Sequence, residues 1–332
     1  MATFETSLKS RLIYVFAIPD EWHKDCLKVG ETTLEEDDGN FPLPNSEVLN
    51  KAACDRIDQY TKTAGIAYNL LHTEMTVFFK GGTISSFNDK QVHSVLERSG
   101  VKKKTFDTVK GANEWFCCDL ETVKKAIHAV KNGRNSLNAS DISYTQTPII
   151  FRPEQQAAID KTKKQFKKGA QMLWNAKMRF GKTLCALRVA RDLEMRRTII
   201  LTHRPVVDES WFEDFGKIFY DRTDYHYGSR TKGEDFTSLE RLAKKGDRYV
   251  YFASMQDMRG AQLVGGKFDK NNEVFSTDWD FLIVDEAHEG TRTELGESVI
   301  KELTKANTKV LKLSGTPFNL LDDYTEEETY TW

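Results

Sequence analysis

The segment AKMRFGKT, residues 176–183, carries the residue types that bind a triphosphate. Gly181 lets the backbone approach phosphate oxygens, Lys182 can reach the β and γ oxygens, and the Thr183 hydroxyl can bind Mg²⁺. Phosphate-binding loops usually read Gly, four residues, then Gly-Lys and Ser or Thr. Because Ala176 stands at the first position here, the sequence predicts such a loop with an unusual lining.

The elements on either side of this loop have the order that a phosphate site needs. QMLWN, residues 171–175, is an apolar run that predicts a strand, and KTLCALRVARDL, residues 182–193, has helical spacing. The helix would turn its positive N-terminal end and its free amides toward the phosphates. Its predicted apolar face contains Leu184, Leu187 and Leu193.

A second motif, FLIVDEAH at residues 281–288, predicts a buried strand that ends in acids. Asp285 would hold Mg²⁺ through its hydration shell, and Glu286 would orient and polarise the attacking water. The alternative is that two acids at the end of a strand only form a solvated cap. Together with the loop, they favour a site that binds and hydrolyses a nucleoside triphosphate.

DEAH and this loop together resemble the superfamily 2 helicases and translocases of DEAH type, including the motor subunits of restriction systems. The first motif of these proteins commonly begins with Ala. Further segments match the family in order, over roughly residues 150–320: RPEQ at 152–155, LTHRPV at 201–206 and SGTP at 314–317. The resemblance implies ATP and Mg²⁺ as ligands, with Thr183 and Asp285 holding the metal.

The resemblance also implies a role for each motif. Gln155 would read adenine, although a surface glutamine is the alternative. LTHRPV would contact the nucleic-acid backbone, and Ser314 and Thr316 would couple hydrolysis to movement. Glu286 would be catalytic, and the nucleotide-binding set would be Gln155, Ala176, Gly181, Lys182, Thr183, Asp285, His288, Ser314 and Thr316.

The second half of the chain, residues 148–332, predicts an α/β domain. Short apolar runs rich in β-branched residues alternate there with helical stretches, which is typical of a parallel sheet covered by crossover helices. These runs are QMLWN, TIILTH, YVYFAS, FLIVDE and KVLKLSG. The resemblance makes this domain a RecA-like P-loop lobe.

The family needs a second RecA-like lobe, whose arginine fingers complete the site across a cleft. This chain stops soon after SGTP, so we expect a fragment, or a chain that depends on a partner lobe. Alone it would bind ATP with Mg²⁺ but hydrolyse it feebly and unwind nothing.

The first part, residues 1–131, predicts a small α+β unit with an antiparallel sheet. The segments RLIYVFAI and CLKVGET read as two strands joined by a turn, and TEMTVFFK reads as a third. DKQVHSVLERS and DLETVKKAIHAV have helical spacing. The polar segment 132–147, NGRNSLNASDISYTQT, reads as a linker between the two parts.

The first unit resembles the GIY-YIG nuclease fold over about residues 10–130. The name-giving tripeptides read Leu12-Ile13-Tyr14 and Lys28-Val29-Gly30, and a branch of the family has lysine in the second tripeptide. The same branch ends its core with a sequence like Glu114-Trp115-Phe116. Between Gly30 and Arg56 the chain is longer than usual, as if residues 34–45 were inserted.

Hydrolysis of a phosphodiester is the chemistry that this resemblance implies. Tyr14 would assist the nucleophile, Arg56 would clamp the phosphate, and Glu114 would hold a single Mg²⁺. Lys28 and His93 would help with proton transfer or charge. The alternatives stay open: a core tyrosine, a solvated helix arginine, a glutamate that merely starts a strand and a core histidine.

Bulk composition limits the partners, the cysteine chemistry and the cellular location that we expect. Positive and negative residues nearly cancel, 48 against 50, so nucleic-acid affinity must come from local patches. Five cysteines without a CxxC motif predict neither a disulfide framework nor a zinc site. No signal peptide or membrane span is evident, so we expect a cytoplasmic protein.

The sequence therefore favours a DNA-acting ATPase, a helicase or translocase fragment, joined to a metal-dependent endonuclease in restriction or phage defence. DNA is the expected partner, with RNA as the alternative. A second hypothesis makes the first unit a non-catalytic docking module and the ATPase a switch or remodeller. A third is a P-loop ATPase unrelated to nucleic acid.

Overall fold

The computed structural model describes residues 10–34, 42–106, 114–138, 141, 149–203, 205–287, 294–315 and 320–332, with only the backbone of Leu295. The chain forms two compact units, Met1–Leu137 and Asn138–Trp332. Leu137 is buried, and its N–H donates a hydrogen bond to the Ser99 hydroxyl at 2.8 Å. The first residues of the segment interpreted as a linker thus pack on the first unit.

The first unit contains a four-stranded sheet in the order β3-β1-β2-β6, in which each neighbouring pair is antiparallel. A two-stranded hairpin, β4-β5, is separate from this sheet. The strands are β1 Arg11–Ala17, β2 Leu27–Thr33, β3 Asn69–Met75, β4 Val77–Lys80, β5 Thr83–Ser86 and β6 Trp115–Phe116. The helices are α1 Glu47–Thr61, α2 Asp89–Arg98 and α3 Leu120–Lys131.

The prediction of a single strand over TEMTVFFK is wrong. β3 ends at Met75, and Thr76 turns back so that its N–H and its hydroxyl both donate to the Arg11 carbonyl. β4 then pairs with β5 across Gly81 and Gly82, which both have positive φ. A two-residue turn with positive φ at both positions favours a hairpin, and glycine adopts it without steric cost.

One face of the four-stranded sheet packs against α1. Side chains alternate between faces along a strand, so Leu12, Tyr14 and Phe16 of β1 point the same way. They pack in one core with residues of α1, which are Leu49, Ala53 and Ile57. Trp115 of β6 belongs to the same core.

The second unit is built on a seven-stranded sheet in the order β13-β7-β12-β11-β8-β10-β9, and all its neighbouring pairs are parallel. Its strands are β7 Gln171–Asn175, β8 Arg197–Thr202, β9 Tyr225–Gly228, β10 Arg248–Ser254, β11 Phe281–Asp285, β12 Lys309–Ser314 and β13 Thr329–Thr331. The helices that follow α3 are α4 Pro153–Gln165, α5 Lys182–Asp192, α6 Asp208–Phe219, α7 Phe236–Ala243, α8 Met255–Arg259, α9 Asn272–Ser276 and α10 Glu294–Leu303.

The predicted fold class is confirmed, with an antiparallel α+β unit and an α/β P-loop unit. Each of the five apolar runs forms a strand of the parallel sheet, and together they form β7, β8, β10, β11 and β12. The edge strands β9 and β13 were not predicted because they are short and contain polar residues. Among the described residues, none of the helices has both the length and the apolar character that crossing a membrane requires.

Candidate functional site

The carboxyl ends of four neighbouring strands in the second unit lie side by side. Register pairs Ser314 of β12 with Asn175 of β7, and Asp285 of β11 with Thr202 of β8. The Ala176 N–H continues the ladder by donating to the Ser314 carbonyl at 3.0 Å. The phosphate-binding loop and the two acids therefore leave the same edge of the sheet, where ligands bind in open α/β sheets.

The predicted loop has the backbone of a phosphate site. Gly181 is in the left-handed region with φ 87°, and a Cβ there would lie 2.7 Å from Gln155 Nε2. Lys182 and Thr183 open α5, whose first N–H groups have no partner inside the helix. The Lys182 ammonium group donates to the Ala176 carbonyl at 2.8 Å. This folds the cation back over the loop, next to the amides.

The unusual lining of the loop has a structural explanation. Phe180 is fully buried and packs against Trp174, with ring centroids 6.4 Å apart, and against Trp332 at 5.2 Å. Met178 is 83% exposed, and Arg179 has φ 67°. Phe180 thus anchors the loop in the core, while the two residues before it form its outer turn.

Gln155 reaches this loop from the start of α4. Its Nε2 donates to the Phe180 carbonyl at 2.6 Å, and its Oε1 accepts the Arg152 N–H at 2.9 Å. The Arg152 guanidinium donates to the same Phe180 carbonyl at 2.9 Å. The structure therefore brings Gln155 to the loop, and its role in reading adenine stays a prediction.

Asp285 is held in a largely buried position at the end of β11. Its carboxylate accepts the Trp211 indole N–H at 3.3 Å and the Glu286 N–H at 3.0 Å. Burial raises the pKa of Asp285, the Glu286 carboxylate raises it further, and Trp211 and the Lys182 ammonium act in the opposite direction. Glu286 itself has φ 49°, a strained conformation for a residue other than glycine.

Of the remaining residues predicted to bind nucleotide, Ser314 is described by the structure and two others are not. Ser314 is buried at the end of β12, and a Cβ on the following Gly315 would lie 4.0 Å from Lys182 Nζ. His288 and Thr316 lie outside the described residues. Trp211, on α6, was not predicted, because a tryptophan in an apolar helical pattern looks like any core residue.

A cavity of about 370 Å³ opens near the C-terminal ends of β8 and β10. Pro205 of LTHRPV lines it, together with Ser254 at the end of β10 and Gln256 in α8. Arg230 and Lys270 add two cationic side chains, and Lys270 pairs with Asp257 at 2.6 Å. The predicted nucleic-acid segment thus borders a cavity whose lining contains both basic and acidic side chains.

Four of the five residues predicted for phosphodiester chemistry meet on the α1 face of the first unit. Tyr14 is buried on β1 and lies near Tyr60 and Arg56 of α1, which both act to lower its pKa. Lys28 Nζ lies 3.4 Å from Glu114 Oε2 and 4.7 Å from the centre of the Tyr60 ring. Two hydroxyls, two cations and one carboxylate therefore form a single cluster.

Burial governs the titration of the two tyrosines. Burial raises the pKa of Tyr14, whereas the neighbouring Tyr60 hydroxyl and the charge of Arg56 act to lower it. Burial raises the pKa of Tyr60 as well, and the neighbouring Tyr14 adds to the effect. Both phenols are therefore neutral at pH 7.

Two further residues, Gly30 and Tyr60, help to form this cluster. A Cβ on Gly30 would lie 2.7 Å from the Tyr14 hydroxyl, so the second tripeptide needs glycine to admit the ring. Tyr60 was missed, although it stands four residues after Arg56 and helical spacing puts both on one face.

His93 does not join the cluster, contrary to its predicted role. Its Nε2 atom is 2.8 Å from the Val29 carbonyl, and its ring packs 5.1 Å from Phe116. Val29 and Phe116 point to the face opposite that of Lys28 and Trp115, because side chains alternate along a strand. His93 is thus a buried histidine with a backbone partner.

A comparison with protein families decides the class of the chain. The model of the type III restriction enzyme res subunit matches residues 148–319, more than half of the 332 residues. The chain belongs to the type III restriction enzyme res subunit family. The second unit is accordingly a helicase-like domain of a restriction family.

Individual relatives of this res-family chain match over shorter stretches. A Mycoplasma pneumoniae protein, named as the C-terminus of a putative type II restriction enzyme and methyltransferase, is 28% identical over an alignment of 162 residues that covers 46% of this chain. The chain spans only 22% of the length of that relative.

Solved structures to which the chain is similar include a SWI2/SNF2 ATPase core from Sulfolobus solfataricus in complex with double-stranded DNA. It is 16% identical, with a TM-score of 0.40, over 56% of this chain and 37% of its own. The UvsW helicase of bacteriophage T4 is 14% identical, with a TM-score of 0.40, over 77% of this chain and 99% of its own. Neither likeness bears on the side chains of the res-family site.

Proposed function

We propose that the second unit is the first lobe of an ATP-driven DNA translocase of a restriction system. The observation that carries this is the convergence of Lys182 and Asp285, from separate motifs, at one edge of the sheet. Membership of the res family supports the restriction setting. A second lobe, in a longer chain or a partner, would supply the arginine fingers.

Within this site each residue has a distinct task. The amides of the loop and of the α5 N-terminus would bind the β and γ phosphates, and Lys182 would exchange its Ala176 carbonyl for a phosphate oxygen. Glu286 would orient the attacking water. Thr183 and Asp285 would hold Mg²⁺, and their hydroxyl and carboxylate oxygens fit its preference for hard ligands.

For the first unit we propose a metal-dependent endonuclease of GIY-YIG type. The five-residue cluster supports it, because phosphodiester hydrolysis needs an oriented water, positive charge at the phosphate and a protonated leaving oxygen. Tyr14 and Tyr60 would orient the water, while Arg56 and Lys28 would place positive charge beside the phosphate.

Glu114 would hold a single Mg²⁺ in this unit. One carboxylate fits an ion that keeps most of its water ligands and binds substrate phosphate. Bound at either site, Mg²⁺ supplies positive charge and Lewis acidity to the phosphate oxygens.

One observation favours the docking-module alternative. Lys28 pairs with Glu114 within the cluster, which offsets the charge of the carboxylate that would hold the ion. A module that only binds DNA would need the cations Lys28 and Arg56, and would not need the carboxylate.

Supercoiled plasmid separates these functions. The full chain is incubated with plasmid and Mg²⁺ or Mn²⁺, with and without ATP, and compared with Glu114→Ala and with Glu121→Ala. Glu121 is the control because it pairs with Lys124 on α3, away from the cluster. If the first unit is a nuclease, the wild type and Glu121→Ala should nick the plasmid without ATP, and Glu114→Ala should not.

Salt-dependent DNA binding without nicking would identify the docking module. If DNA neither bound nor altered ATP affinity, the P-loop unit would serve a function unrelated to nucleic acid.

A further inference from the structure

Two cysteines of the first unit are in direct contact although 91 positions separate them in the chain. The Sγ atoms of Cys26 and Cys117 lie 2.8 Å apart. Cys26 is 3% exposed, whereas Cys117 is exposed to solvent. The sequence offered no sign of this pairing, because five cysteines without a CxxC motif predicted no disulfide framework.

The pairing of the two strands next to these cysteines explains the contact. Leu27 of β2 pairs with Phe116 of β6 in an antiparallel ladder, so the next positions outward are Cys26 and Cys117. The Cys117 N–H donates to the Lys102 carbonyl at 2.8 Å, which fixes the backbone after β6. The pairing is therefore a consequence of sheet register.

This register suits a covalent bond between the sulfurs. Residues directly opposite in antiparallel strands have Cα atoms about 4.5–5.5 Å apart. Disulfides span about 4.4–6.8 Å between Cα atoms. The pairing of β2 with β6 is thus compatible with a disulfide between the two residues that flank it.

We propose that Cys26 and Cys117 are a redox-sensitive thiol pair that peroxide oxidises to a disulfide, joining the β2 and β6 ends of the sheet. The inference is independent of nuclease or ATPase activity. It concerns a bond within the first unit, and it does not use the functional clusters described above.

The chemistry balances with hydrogen peroxide as the oxidant. The Cys117 thiolate attacks one peroxide oxygen, the O–O bond breaks, and a sulfenic acid and water result once a proton is taken up. Cys26 then attacks the Cys117 sulfur, and the S–O bond breaks as a second water leaves with the Cys26 proton. Two thiols lose two electrons, and one peroxide becomes two waters.

Exposure sets the order of these steps. Burial, followed by the hydrogen bond to Cys117, raises the pKa of Cys26 to about 12, so its thiol is a poor first nucleophile. Cys117 reaches solvent and reacts first, and Cys26 is already in contact to resolve the sulfenic acid.

Cys118 is the competitor for Cys117. A bond between adjacent cysteines closes a small ring that strains the intervening peptide. Burial also raises the pKa of the Cys118 thiol to about 12. The cross-strand bond to Cys26 is therefore expected instead of the adjacent one.

The test is a peptide map of the full chain after treatment with a small excess of hydrogen peroxide. The protein is then denatured so that buried thiols react, the remaining thiols are alkylated, the protein is digested without reductant, and peptides are identified by mass spectrometry. We expect loss of two of the five thiols and a linked peptide pair containing Cys26 and Cys117. Dithiothreitol should restore both thiols.

Two variants provide the controls. Cys117→Ser changes an exposed side chain and so preserves the fold, and it should leave Cys26 alkylatable. Cys118→Ser should form the link as the wild type does. Because the bond closes a long loop, the oxidised wild type should also show a thermal unfolding midpoint several degrees higher than the reduced form.

The proposal is overturned if Cys117 proceeds to sulfinic acid with Cys26 still free. A link between Cys117 and Cys118, or persistence of all five thiols in a folded protein, would overturn it equally.

Discussion

Phe180 allows a sharp test of why the phosphate-binding loop has its unusual lining. The side chain is fully buried against Trp174 and Trp332, so it is expected to stabilise the loop and not to contact nucleotide. Phe180→Ala should lower the free energy of unfolding of the second unit by about 3–5 kcal/mol, the usual cost of truncating a buried Phe. Phe180→Leu keeps more of the volume and should cost under about 1.5 kcal/mol.

Met178 is the matched control, because it belongs to the same loop and is 83% exposed. Met178→Ala should change the free energy of unfolding by less than about 0.5 kcal/mol. Urea unfolding gives these values, and hydrogen exchange of the α5 amides assigns the transition to the second unit.

Nucleotide binding completes the Phe180 test. Folded Phe180→Leu should bind ATP with nearly the affinity of the wild type. The reasoning is refuted if Phe180→Leu stays folded and yet loses ATP binding, or if Met178→Ala destabilises the protein as much as Phe180→Ala does.

Three further predictions concern the two sites. Gln155→Ala should weaken ATP binding about tenfold, which is the value of one hydrogen bond, and leave GTP binding unchanged. The control Gln156→Ala should alter the binding of neither nucleotide. Equal loss of affinity for both nucleotides in titrations of Gln155→Ala would refute adenine recognition. Tyr60→Phe should slow plasmid nicking at least about tenfold. Tyr68→Phe is the control and should not slow it, because the Tyr68 hydroxyl donates a hydrogen bond to Asp58. Equal nicking rates in the two variants would exclude Tyr60 from the chemistry. If the Tyr14 phenolate also deprotonates the water that the side chain orients, the nicking rate should rise about tenfold per pH unit from pH 7 to 9, because burial raises the pKa of Tyr14 and the phenolate fraction still grows over that range. A plateau below pH 8 would contradict a tyrosine base.

The sequence was most informative where one physical signal dominated. β11 and β12 are apolar runs buried between two layers of helices, so their composition alone indicates central parallel strands. The sequence YHYG of β9 has no such signal, because the strand is only four residues long and includes a histidine and a glycine, although all four residues are buried. The Gly81-Gly82 pair did mark a hairpin, but the continuous run TEMTVFFK obscured it.

Site residues were predictable only as far as chemistry depends on residue type and local spacing. Lys182 and Asp285 stand in dense local motifs, and the parallel register then places them at one edge. His93 shows the limit, because the face to which a helix turns its histidine depends on packing between helix and sheet. Cys26 and Cys117 show the same limit, since their contact depends on the pairing of β2 with β6.

The central claim is that Lys182 and Asp285 act on one bound nucleotide and its divalent ion. Isothermal titration of the wild type, Lys182→Ala and Asp285→Asn with ATP, in Mg²⁺ and again in EDTA, tests it most directly. We expect wild-type binding strengthened by Mg²⁺, a loss of at least about tenfold in Lys182→Ala under both conditions, and loss of only the Mg²⁺ enhancement in Asp285→Asn. Absence of heat with the folded wild type, or equal affinity in all three proteins, would contradict the claim.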